Sequence, residues 1–593
     1  MKFKQFFSFL SIVSALVAGA MLSSCNKDDV IGGDDIKPKI ILDSETGIYT
    51  VKAGEELVVE PTYENASGAD YSWTVDGTEI ADTPMLRYTW TTPGDRYIRL
   101  TVTAAGGSAS EELKAEVIQP APPVISLPVS GDAITIALGT DFVFNPEISN
   151  SEFEDFSIEW TLDGQKVSDE RSYTFSATAT GNFILRIRAQ NSDGTDTKEI
   201  RITVVNSLPY VLSFPTPSYF EPSTTRYTFA GRPVHLTPVM ENLTAQSFAW
   251  TVNGSATDCD KPTFIFTPDS PGNYIINLTV DSKASASVKV ICVDATESQR
   301  YRAATASSSP RSNKVFEWVP APGQFIGETQ TGGMTGNETT LALANVWAET
   351  RLANQHYVSL GGFGGYIIVG FDHSISKRDG QYDFAVMGNA FLNASSGSGG
   401  SNEPGIIYVM QDINGNGLPD DEWYELRGSE TGNATTRQDY AVTYFRPSGP
   451  GMNVQWTDNY GASGHIDYLN AFHRQPYYYP VWIEADSYTL RGTCLANRTS
   501  QDSSTGFWDN SAFPWGYSDN MGSDNMTGAD AISGSGQRNG FLIENAMFSD
   551  GSHVNLQYID FIKVQTGVNS KAGWLGEVST EVFNFQDLSL MPQ

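Results

Sequence analysis

Residues 71–77, Tyr-Ser-Trp-Thr-Val-Asp-Gly, recur twice further along the chain, as Ile-Glu-Trp-Thr-Leu-Asp-Gly at 158–164 and Phe-Ala-Trp-Thr-Val-Asn-Gly at 248–254. The three tryptophans are 87 and 90 residues apart. Each copy ends in an Asp-Gly or Asn-Gly pair, which is the strongest short signal of a strand that enters a hairpin turn. The repeat therefore predicts three successive copies of one small β domain.

A second element follows each tryptophan at a nearly constant distance. A glycine comes 21, 21 and 22 residues after the tryptophan, and an alternating apolar run follows that glycine, as in Gly-Asp-Arg-Tyr-Ile-Arg-Leu at 94–100. Alternation of this kind is typical of strands with one buried face, as in a β-sandwich. We interpret each tryptophan as a core residue that packs between two sheets.

The pattern resembles the PKD-like family, whose members are immunoglobulin-type sandwiches common on bacterial surfaces. Family members often carry a Trp-Asp-Phe-Gly-Asp-Gly turn, whereas this chain has Trp-Thr-Val-Asp-Gly at 73–77. For that reason the resemblance implies the fold and no binding site. We expect the three PKD-like domains to span residues 38–118, 119–206 and 207–293.

The repeats end before residues 294–314, which contain Ser-Ser-Ser-Pro and are predicted to form a linker. Residues 315–593 then form one larger domain, with a helix predicted at 337–354 and strand-like runs elsewhere. The chain is thus predicted to be mainly β, with three tandem immunoglobulin-like PKD-type sandwiches followed by a larger jelly-roll-like β domain with one helix. We expect the three sandwiches to act as a spacer for this C-terminal domain.

The charge of the chain narrows the choice of partners. The 593 residues carry a formal net charge of -32, with only 37 Lys plus Arg and no basic run. This balance argues against nucleic acid as a partner, and it favours solubility and cation binding.

The N-terminus resembles that of a bacterial lipoprotein. Lys2 and Lys4 precede a mostly apolar run that ends in Leu-Ser-Ser-Cys, so residues 1–24 are predicted to be a signal peptide. The resemblance implies that Cys25 is acylated and holds the protein on the outer membrane. An ordinary signal peptide with a chance cysteine is the alternative. Residues 25–37 are predicted to be a linker, and its Asn-Lys-Asp-Asp start resembles the signal that sends Bacteroidetes lipoproteins to the cell surface.

Three further cysteines are Cys259, Cys292 and Cys494. Cys259 and Cys292 fall within the third predicted sandwich, and an exported protein can form disulfides, so a bridge between them is considered alongside two free thiols. We interpret Cys494 as a small buried apolar residue rather than a nucleophile.

The sharpest local motif is Asp-Ile-Asn-Gly-Asn-Gly-Leu-Pro-Asp-Asp-Glu, at residues 412–422. Oxygen side chains at positions 1, 3 and 5, with glycine at position 6, resemble EF-hand-like calcium loops. The resemblance implies that calcium is held by Asp412, Asn414, Asn416, the carbonyl of Leu418, and Asp420 or Asp421. Position 12 departs from the family, since Trp423 replaces a bidentate glutamate. A plain Asn/Gly-rich hairpin turn is the alternative.

Aromatic residues follow this loop in two groups. Trp508, Trp515 and Tyr517 lie in a polar, glycine-rich stretch, where rings can stack on a sugar face. We predict these three as ligand-binding residues, with core packing as the alternative. For the group at 477–482, core packing is favoured, because Tyr-Pro-Val-Trp-Ile at 479–483 is strand-like.

The sequence lacks the common catalytic signatures, such as Gly-x-Ser-x-Gly, His-Glu-x-x-His and the phosphate loop. Asp519, Asp524 and Asp530 are interpreted as parts of a solvated loop rather than as a second cation site. We therefore predict that the protein is not an enzyme. A glycan hydrolase remains an alternative, because its two carboxylates are brought together in space and leave no spacing along the chain.

Four more segments, at 358–365, 383–391, 403–405 and 573–578, resemble a family of Bacteroidetes cell-surface lipoproteins with PKD-like repeats. The resemblance implies an accessory of outer-membrane nutrient uptake, and some relatives accompany corrinoid systems. We expect a surface-exposed lipoprotein that binds a glycan or another small-molecule nutrient, in a narrower version a corrinoid, as partner of an outer-membrane transporter. An adhesin or structural surface protein and a glycan-degrading hydrolase are the alternatives.

Overall fold

The computed structural model describes residues 36–44, 46–152, 155–329, 334–393, 399–470, 473–503, 506–526 and 537–591. The predicted signal peptide, Cys25 and all but the end of the following linker lie outside these residues, and so does Asp530. Two compact units make up the chain, and they divide between Ala121 and Pro122. In the part of the chain that is described, no helix is both long and apolar enough to cross a membrane.

The first unit is a sandwich of nine strands. They are β1 (Lys39–Ile41), β2 (Ile48–Lys52), β3 (Glu56–Val59), β4 (Thr62–Glu64), β5 (Asp70–Val75), β6 (Thr78–Ala81), β7 (Leu86–Thr89), β8 (Gly94–Ala104) and β9 (Gly107–Ile118). Five strands form one sheet in the order β2-β9-β8-β5-β6, while β1 pairs with β4 and β3 with β7. β2 runs parallel to β9, and the other neighbours in the sheet are antiparallel.

The second and third sandwiches repeat this plan. The second contains β10 (Val124–Ser126), β11 (Ala133–Ala137), β12 (Asp141–Phe144), β13 (Glu147–Ser149), β14 (Ser157–Leu162), β15 (Gln165–Ser168), β16 (Tyr173–Ser176), β17 (Gly181–Asn191) and β18 (Gly194–Val205). The third contains β19 (Val211–Ser213), β20 (Arg226–Thr228), β21 (Val234–Leu236), β22 (Val239–Glu241), β23 (Phe248–Val252), β24 (Ser255–Ala256), β25 (Phe264–Phe266), β26 (Gly272–Val280) and β27 (Ala284–Cys292). Their five-stranded sheets have the orders β11-β18-β17-β14-β15 and β20-β27-β26-β23-β24.

The recurring dipeptides form the predicted hairpin turns. Both residues of each pair have positive φ, for example 50° at Asp76 and 76° at Gly77, as a two-residue turn between twisted strands requires. Asp and Asn tolerate this conformation better than other non-glycine residues, which explains why they precede the glycine.

The three tryptophans are buried, and the indole N–H of each donates a hydrogen bond to a backbone carbonyl. Trp73 donates to the carbonyl of Thr83 at 2.8 Å. Trp160 donates to the carbonyl of Glu170 at 2.9 Å, and Trp250 makes the corresponding bond in the third sandwich. A large ring therefore fills the core without leaving an unpaired donor.

Residues from 293 onward form the C-terminal domain, together with two short 3-10 turns at Ile543–Asn545 and Gly573–Leu575. Its helices are α1 (Glu297–Arg300) and α2 (Leu341–Ala353). Its strands are β28 (Lys314–Val319), β29 (Val358–Ser359), β30 (Tyr366–Ser376), β31 (Phe384–Met387), β32 (Gly405–Met410), β33 (Tyr424–Leu426), β34 (Arg437–Phe445), β35 (Val454–Asp458), β36 (Ser463–Ile466), β37 (Ser487–Cys494), β38 (Thr499–Gln501), β39 (Trp508–Asn510), β40 (Arg538–Phe541), β41 (Ala546–Met547), β42 (Tyr558–Thr566), β43 (Glu581–Val582) and β44 (Asn584–Asp587).

Sheets of six, four and three strands build this domain. Their orders are β28-β30-β42-β32-β33-β41, β36-β35-β34-β37 and β40-β31-β44, and two pairs, β29-β43 and β38-β39, complete it. One hydrophobic core joins them: it contains Val369 from the first sheet, Tyr444 from the second, Phe585 from the third and Ala348 from α2. The prediction of a mainly β chain with tandem sandwiches is confirmed.

α2 lies within the helix predicted from the sequence. Thr340 caps it by accepting a hydrogen bond from the backbone N–H of Leu343, and Ala344, Ala348 and Leu352 form its buried face at four-residue spacing. Asn345 fixes the helix to β28, because its side chain accepts from the N–H of Trp318 at 2.9 Å.

Residues 294–314, predicted to be a linker, make ion pairs with the third sandwich and with the C-terminal domain. Glu297 in α1 forms an ion pair with Arg232 of the third sandwich at 2.8 Å. Arg302 forms another with the buried Asp560 at 3.0 Å. Partly buried ion pairs of this kind tie the segment to its neighbours, which a Ser-rich composition does not reveal.

The second and third sandwiches belong to the same compact unit as the C-terminal domain, which corrects the expectation that all three sandwiches are a spacer. Asn453 donates to Glu147 of the second sandwich at 3.0 Å. Ser218 of the third sandwich donates to the buried Glu317 of β28 at 2.6 Å. These contacts are polar, so hydropathy along the sequence carried no sign of them.

Cys259 and Cys292 are free thiols, so the disulfide considered from the sequence is not formed. Cys292 is paired in the sheet between Gly272 and Thr228, whereas the Cys259 sulfur faces the carbonyl of Thr263 at 3.7 Å. Cys494 is buried, and burial raises the pKa of its thiol to about 11, so it is not a ready thiolate nucleophile.

Candidate functional site

The predicted calcium loop, residues 412–421, follows β32 and lies where the third sandwich, α1 and the six-stranded sheet meet. Gln411, which precedes the loop, accepts a hydrogen bond from Arg232 at 2.6 Å and donates to Glu297 at 2.7 Å. The backbone N–H of Asp412 donates to Asp560 of β42 at 2.8 Å. The loop is therefore anchored at a junction between domains rather than on a free surface.

All six predicted ligands are bonded to one another or to backbone groups of the loop. Asp412 accepts hydrogen bonds from three loop amides at 2.8 to 3.0 Å, those of Gly415, Asn416 and Gly417. Asn414 and Asn416 each donate to Asp420 at 2.8 Å. Gly415 and Gly417 both have positive φ, which permits the tight turn.

Asp421 carries the clearest sign of a missing partner. Its side chain is 1% exposed; one oxygen accepts from the N–H of Ile413 at 2.9 Å, and the other has no hydrogen-bond partner among the described residues. Burial, with the charges of Asp420 and Asp412, raises the pKa of Asp421 to about 8. An orphaned oxygen beside two more carboxylates suits a hard cation, so the residues present fit calcium.

Trp423, at the position where EF-hand loops have glutamate, takes part in another contact. Its ring lies 4.9 Å from the ammonium of Lys563 in the six-stranded sheet. Asp421, two residues earlier, is a second buried acid of the loop beside Asp412. The Leu418 side chain is exposed, which leaves its backbone as the only group suited to a ligand role.

The predicted aromatic site does not form one surface. Tyr517 is buried, packs on Phe513 with ring centroids 5.4 Å apart, and accepts a hydrogen bond from the N–H of Glu430 at 3.0 Å. This position fits the core alternative and not the predicted ligand role. Trp508 and Trp515 are partly exposed, and within the described chain no ring contact joins the two. Trp508 lies against Gly573, where an added Cβ would meet its indole nitrogen at 2.5 Å.

A cavity of about 350 Å³ lies instead beside the other aromatic group. Among the described residues, its walls come from 326–329, 334–338 and 474–482, and its aromatic rings are those of Tyr477, Tyr479 and Trp482. This volume is at the lower end of the range for small-molecule sites. Tyr479 and Trp482, for which core packing is predicted, are both buried, and they also line this cavity.

Two residues of the cavity wall each carry an unpaired buried polar atom. Trp482 is 3% exposed, and its indole N–H has no acceptor among the described residues. Gln475 is 8% exposed; its amide N–H group donates to the carbonyl of Ile326 at 3.1 Å, while its side-chain oxygen has no donor within the same described part. Both unpaired atoms are themselves buried behind the wall, so a ligand reaches them only where the wall around them moves.

Two carboxylates also line the cavity, and both already have partners. Glu328 contacts the imidazole of His473 at 2.8 Å. Glu338 accepts hydrogen bonds from the backbone N–H groups of Thr335 and Gly336, at 3.0 Å each. Glu338 therefore holds a turn in the cavity wall.

Comparison with known proteins bears on the sandwiches. Residues 37–104 and 122–191 match the family model of the PKD-like domain. These are PKD-like sandwiches. The two segments fall in the first and second sandwiches, and the third repeats their strand order and their tryptophan bond. The C-terminal domain has no part in this match, and no curated protein matches the chain.

Solved structures similar to the chain are tandem β modules. The fibronectin(III)-like modules of Clostridium thermocellum CbhA are 14% identical, covering 28% of this chain and 94% of theirs, with a TM-score of 0.20. The N-terminal four Ig domains of Dscam1 isoform 7.44 are 15% identical, covering 43% and 72%, with a TM-score of 0.14. Titin domains I67-I69 are 14% identical, covering 43% and 98%, with a TM-score of 0.17. Because these TM-scores are low, we base no conclusion on these similarities.

Proposed function

We propose that the chain is a surface-exposed lipoprotein, anchored in the outer membrane by acylated Cys25, whose C-terminal domain binds an extracellular glycan or another small nutrient for uptake. The observation that supports the binding role is the cavity of about 350 Å³, in whose wall Trp482 and Gln475 keep an unpaired donor and acceptor. The anchor and the partnership with an outer-membrane transporter come from the resemblance of the sequence.

A sugar ring suits this cavity chemically. Its apolar face can lie on the partly exposed ring of Tyr477, while its hydroxyl groups pair with the Trp482 indole N–H and the Gln475 oxygen once the wall moves to admit them. Desolvated hydrogen bonds of this kind discriminate strongly, because a ligand that lacks the hydroxyl leaves the buried groups unpaired. A corrin macrocycle is broader than a sugar ring. If the ligand is a corrinoid, we therefore expect one of its side groups, and not the macrocycle, to enter the cavity.

The proposed function is tested by direct binding to the mature chain. A panel of mono- and oligosaccharides, with cyanocobalamin as a separate probe, is screened by calorimetry against the wild type and Trp482→Phe. The substitution keeps a ring and removes the N–H donor, so we expect affinity to fall about tenfold, the equivalent of one hydrogen bond of ~1.4 kcal/mol. Trp515→Phe, which is outside the cavity wall, is the matched control and should bind like the wild type.

Equal affinity of Trp482→Phe and the wild type would remove the cavity from the proposal. Binding to proteins or whole cells alone would favour the adhesin alternative. Release of products from a polysaccharide, abolished by Glu328→Gln, would establish the hydrolase instead.

The second part of the proposal is that the loop binds calcium. It is supported by a different observation, the Asp421 oxygen that has no hydrogen-bond partner among the described residues. Bound at residues 412–421, the ion would brace the junction between the third sandwich and the C-terminal domain. This role differs from the ligand-capturing surface expected from the sequence, because within the described residues no contact joins the loop to the cavity wall.

A further inference from the structure

Three carboxylates that the proposed function does not use lie together in the C-terminal domain. Glu403, Asp519 and Glu581 each place one oxygen within 4.8 Å of the others. Asp519 and Glu581 are buried, and Glu403 is partly buried. They come from separate segments: Glu403 precedes β32, Asp519 lies between β39 and β40, and Glu581 begins β43. Burial and the Glu581 charge raise the pKa of Asp519 to about 8.

The backbone holds these acids in position. One oxygen of Asp519 accepts from the N–H groups of Asn389 and Ala390, at 2.8 and 2.7 Å, and the other accepts from the N–H of Glu581 at 3.0 Å. The N–H of Glu403 donates to the carbonyl of Asp519 at 3.0 Å. The Asp519 carboxylate is therefore held in place, and the backbones of Glu403 and Glu581 are bonded directly to Asp519, which keeps the three acids close together.

Gln537 points to a ligand independently of the acids. Its side chain is 0% exposed, and its amide N–H group donates to the carbonyl of Asn520 at 3.0 Å, but its oxygen has no partner among the residues described. A Cβ placed on Gly388 would lie 2.5 Å from an Asp519 oxygen and 2.9 Å from the Gln537 oxygen. The orphaned oxygen thus shares one small space with the Asp519 carboxylate, although both are acceptors.

The side-chain amide of Asn389 also faces the Asp519 carboxylate. Its NH2 group donates to both oxygens of Asp519, at 3.0 and 3.2 Å. Asn389 therefore helps to hold the Asp519 carboxylate in position.

We infer that Glu403, Asp519 and Glu581 hold a divalent cation, to which Gln537 contributes its carboxamide oxygen. The ligand atoms are all oxygens, a set that selects a hard cation, and calcium accepts the irregular geometry that a fixed group of carboxylates imposes. The ion would tie together three segments that are far apart in the chain. This site shares no residue with the loop at 412–421 and goes beyond the proposed function. The competing account is that the three acids share protons.

The test measures calcium bound to the full mature chain, because the site is formed by segments across the whole C-terminal domain. The protein is stripped with EGTA, dialysed against calcium and analysed for metal per chain. Glu403→Gln keeps the shape of the side chain and removes one charge. We expect it to hold one calcium fewer than its parent, both in the wild type and in an Asp412→Asn background that disables the loop. Equal metal content of Glu403→Gln and its parent would overturn the inference.

A melting experiment separates loss of the site from loss of the fold. In EGTA, Glu403→Gln should melt no lower than the wild type, because it relieves repulsion among buried carboxylates. In calcium, the Asp412→Asn protein should melt higher than in EGTA, whereas the double variant with Glu403→Gln should show no difference. If protons neutralise the acids, calcium leaves the melting temperature of Asp412→Asn unchanged, and the inference fails.

Gln537→Met supplies a second variant of similar shape. It removes the orphaned oxygen and leaves all three carboxylates in place. We expect calcium to bind several-fold more weakly in the Asp412→Asn background. In EGTA the variant should also melt somewhat lower, because methionine loses the hydrogen bonds that the Gln537 amide donates to Asn520 and Asn539. Unchanged calcium affinity would remove Gln537 from the site.

Discussion

At the residue scale, the six-stranded sheet contains a lysine and a glutamate whose pKa values are shifted. The ammonium of Lys563 lies 4.4 Å from the ring centre of Tyr408, and burial lowers its pKa to about 8. Burial also raises the pKa of Glu425 to about 7, although the hydroxyl of Thr493 donates to it at 2.5 Å. For this carboxyl group, desolvation raises the pKa because it favours the neutral form, and this effect outweighs the hydrogen bond from Thr493, which lowers the pKa.

This shift predicts a pH dependence of stability. The pKa of Glu425 in the folded chain lies above its ordinary value of 4.5, so the folded state binds the extra proton between pH 4.5 and about 7. The stabilisation of the folded state by protonated Glu425 is complete below pH 4.5 and is lost as the pH rises through about 7. We expect the free energy of unfolding of the wild type, relative to Glu425→Gln, to fall by about 2 kcal/mol over this window, after allowance for partial exposure. Urea unfolding at several pH values measures it, and a constant difference would contradict it.

The core tryptophans were predictable at this scale, whereas several site residues were not. The core role of Trp73, Trp160 and Trp250 could be predicted because a large ring recurs at the same place in an alternating pattern. Tyr517 has the same type of ring in a polar stretch, and only its bond from Glu430 in the fold identifies it as core. Gln475 carries no signal at all in the sequence, because an unpaired oxygen is a property of its surroundings.

At the scale of elements, the loop at 412–421 connects Arg232, α1 and Asp560 through its own backbone and neighbours. Spacing along the chain was sufficient to predict this loop, because all its side chains lie within ten residues. The cavity and the group of Glu403, Asp519 and Glu581 depend on contacts between distant segments, and local periodicity contains no information about those.

The junction role of the loop is tested by hydrogen exchange. In the wild type, calcium should slow amide exchange about tenfold within residues 411–421 and in α1, because the ion fixes the loop against which α1 packs. Asp412→Asn should lose this protection. Asp379→Asn removes an exposed acid elsewhere and serves as the control. Equal protection in Asp412→Asn would mean that the loop is a plain Asn/Gly-rich turn.

At the scale of the whole molecule, the chain combines one separate sandwich with a large unit that contains the other two. The number of sandwiches and their strand pattern could be predicted from the repeat. The docking of the second and third onto the C-terminal domain could not, because pairs such as Asn453 with Glu147 are ordinary surface residues in the sequence. In chain order, the first sandwich alone stands between Cys25 and the large unit.

The anchor is tested in a Bacteroidetes host. Labelled palmitate should enter the wild type and not Cys25→Ser, because the thioether and the free amine of the mature cysteine carry the acyl chains. Protease added to intact cells should degrade the wild type. Labelling of Cys25→Ser, or complete protection of the wild type on intact cells, would contradict the proposed location.

One detail of the sandwiches has a mechanical consequence. In each, the second strand lies parallel to the last, as β2 does beside β9. A pull on the two ends of such a module slides these strands past each other, so that the hydrogen bonds between them are loaded in shear and must break together. The same bonds in a hairpin would unzip one at a time under much less force. A protein tethered at one end and tugged by flow or by its cargo gains from modules that resist stretching.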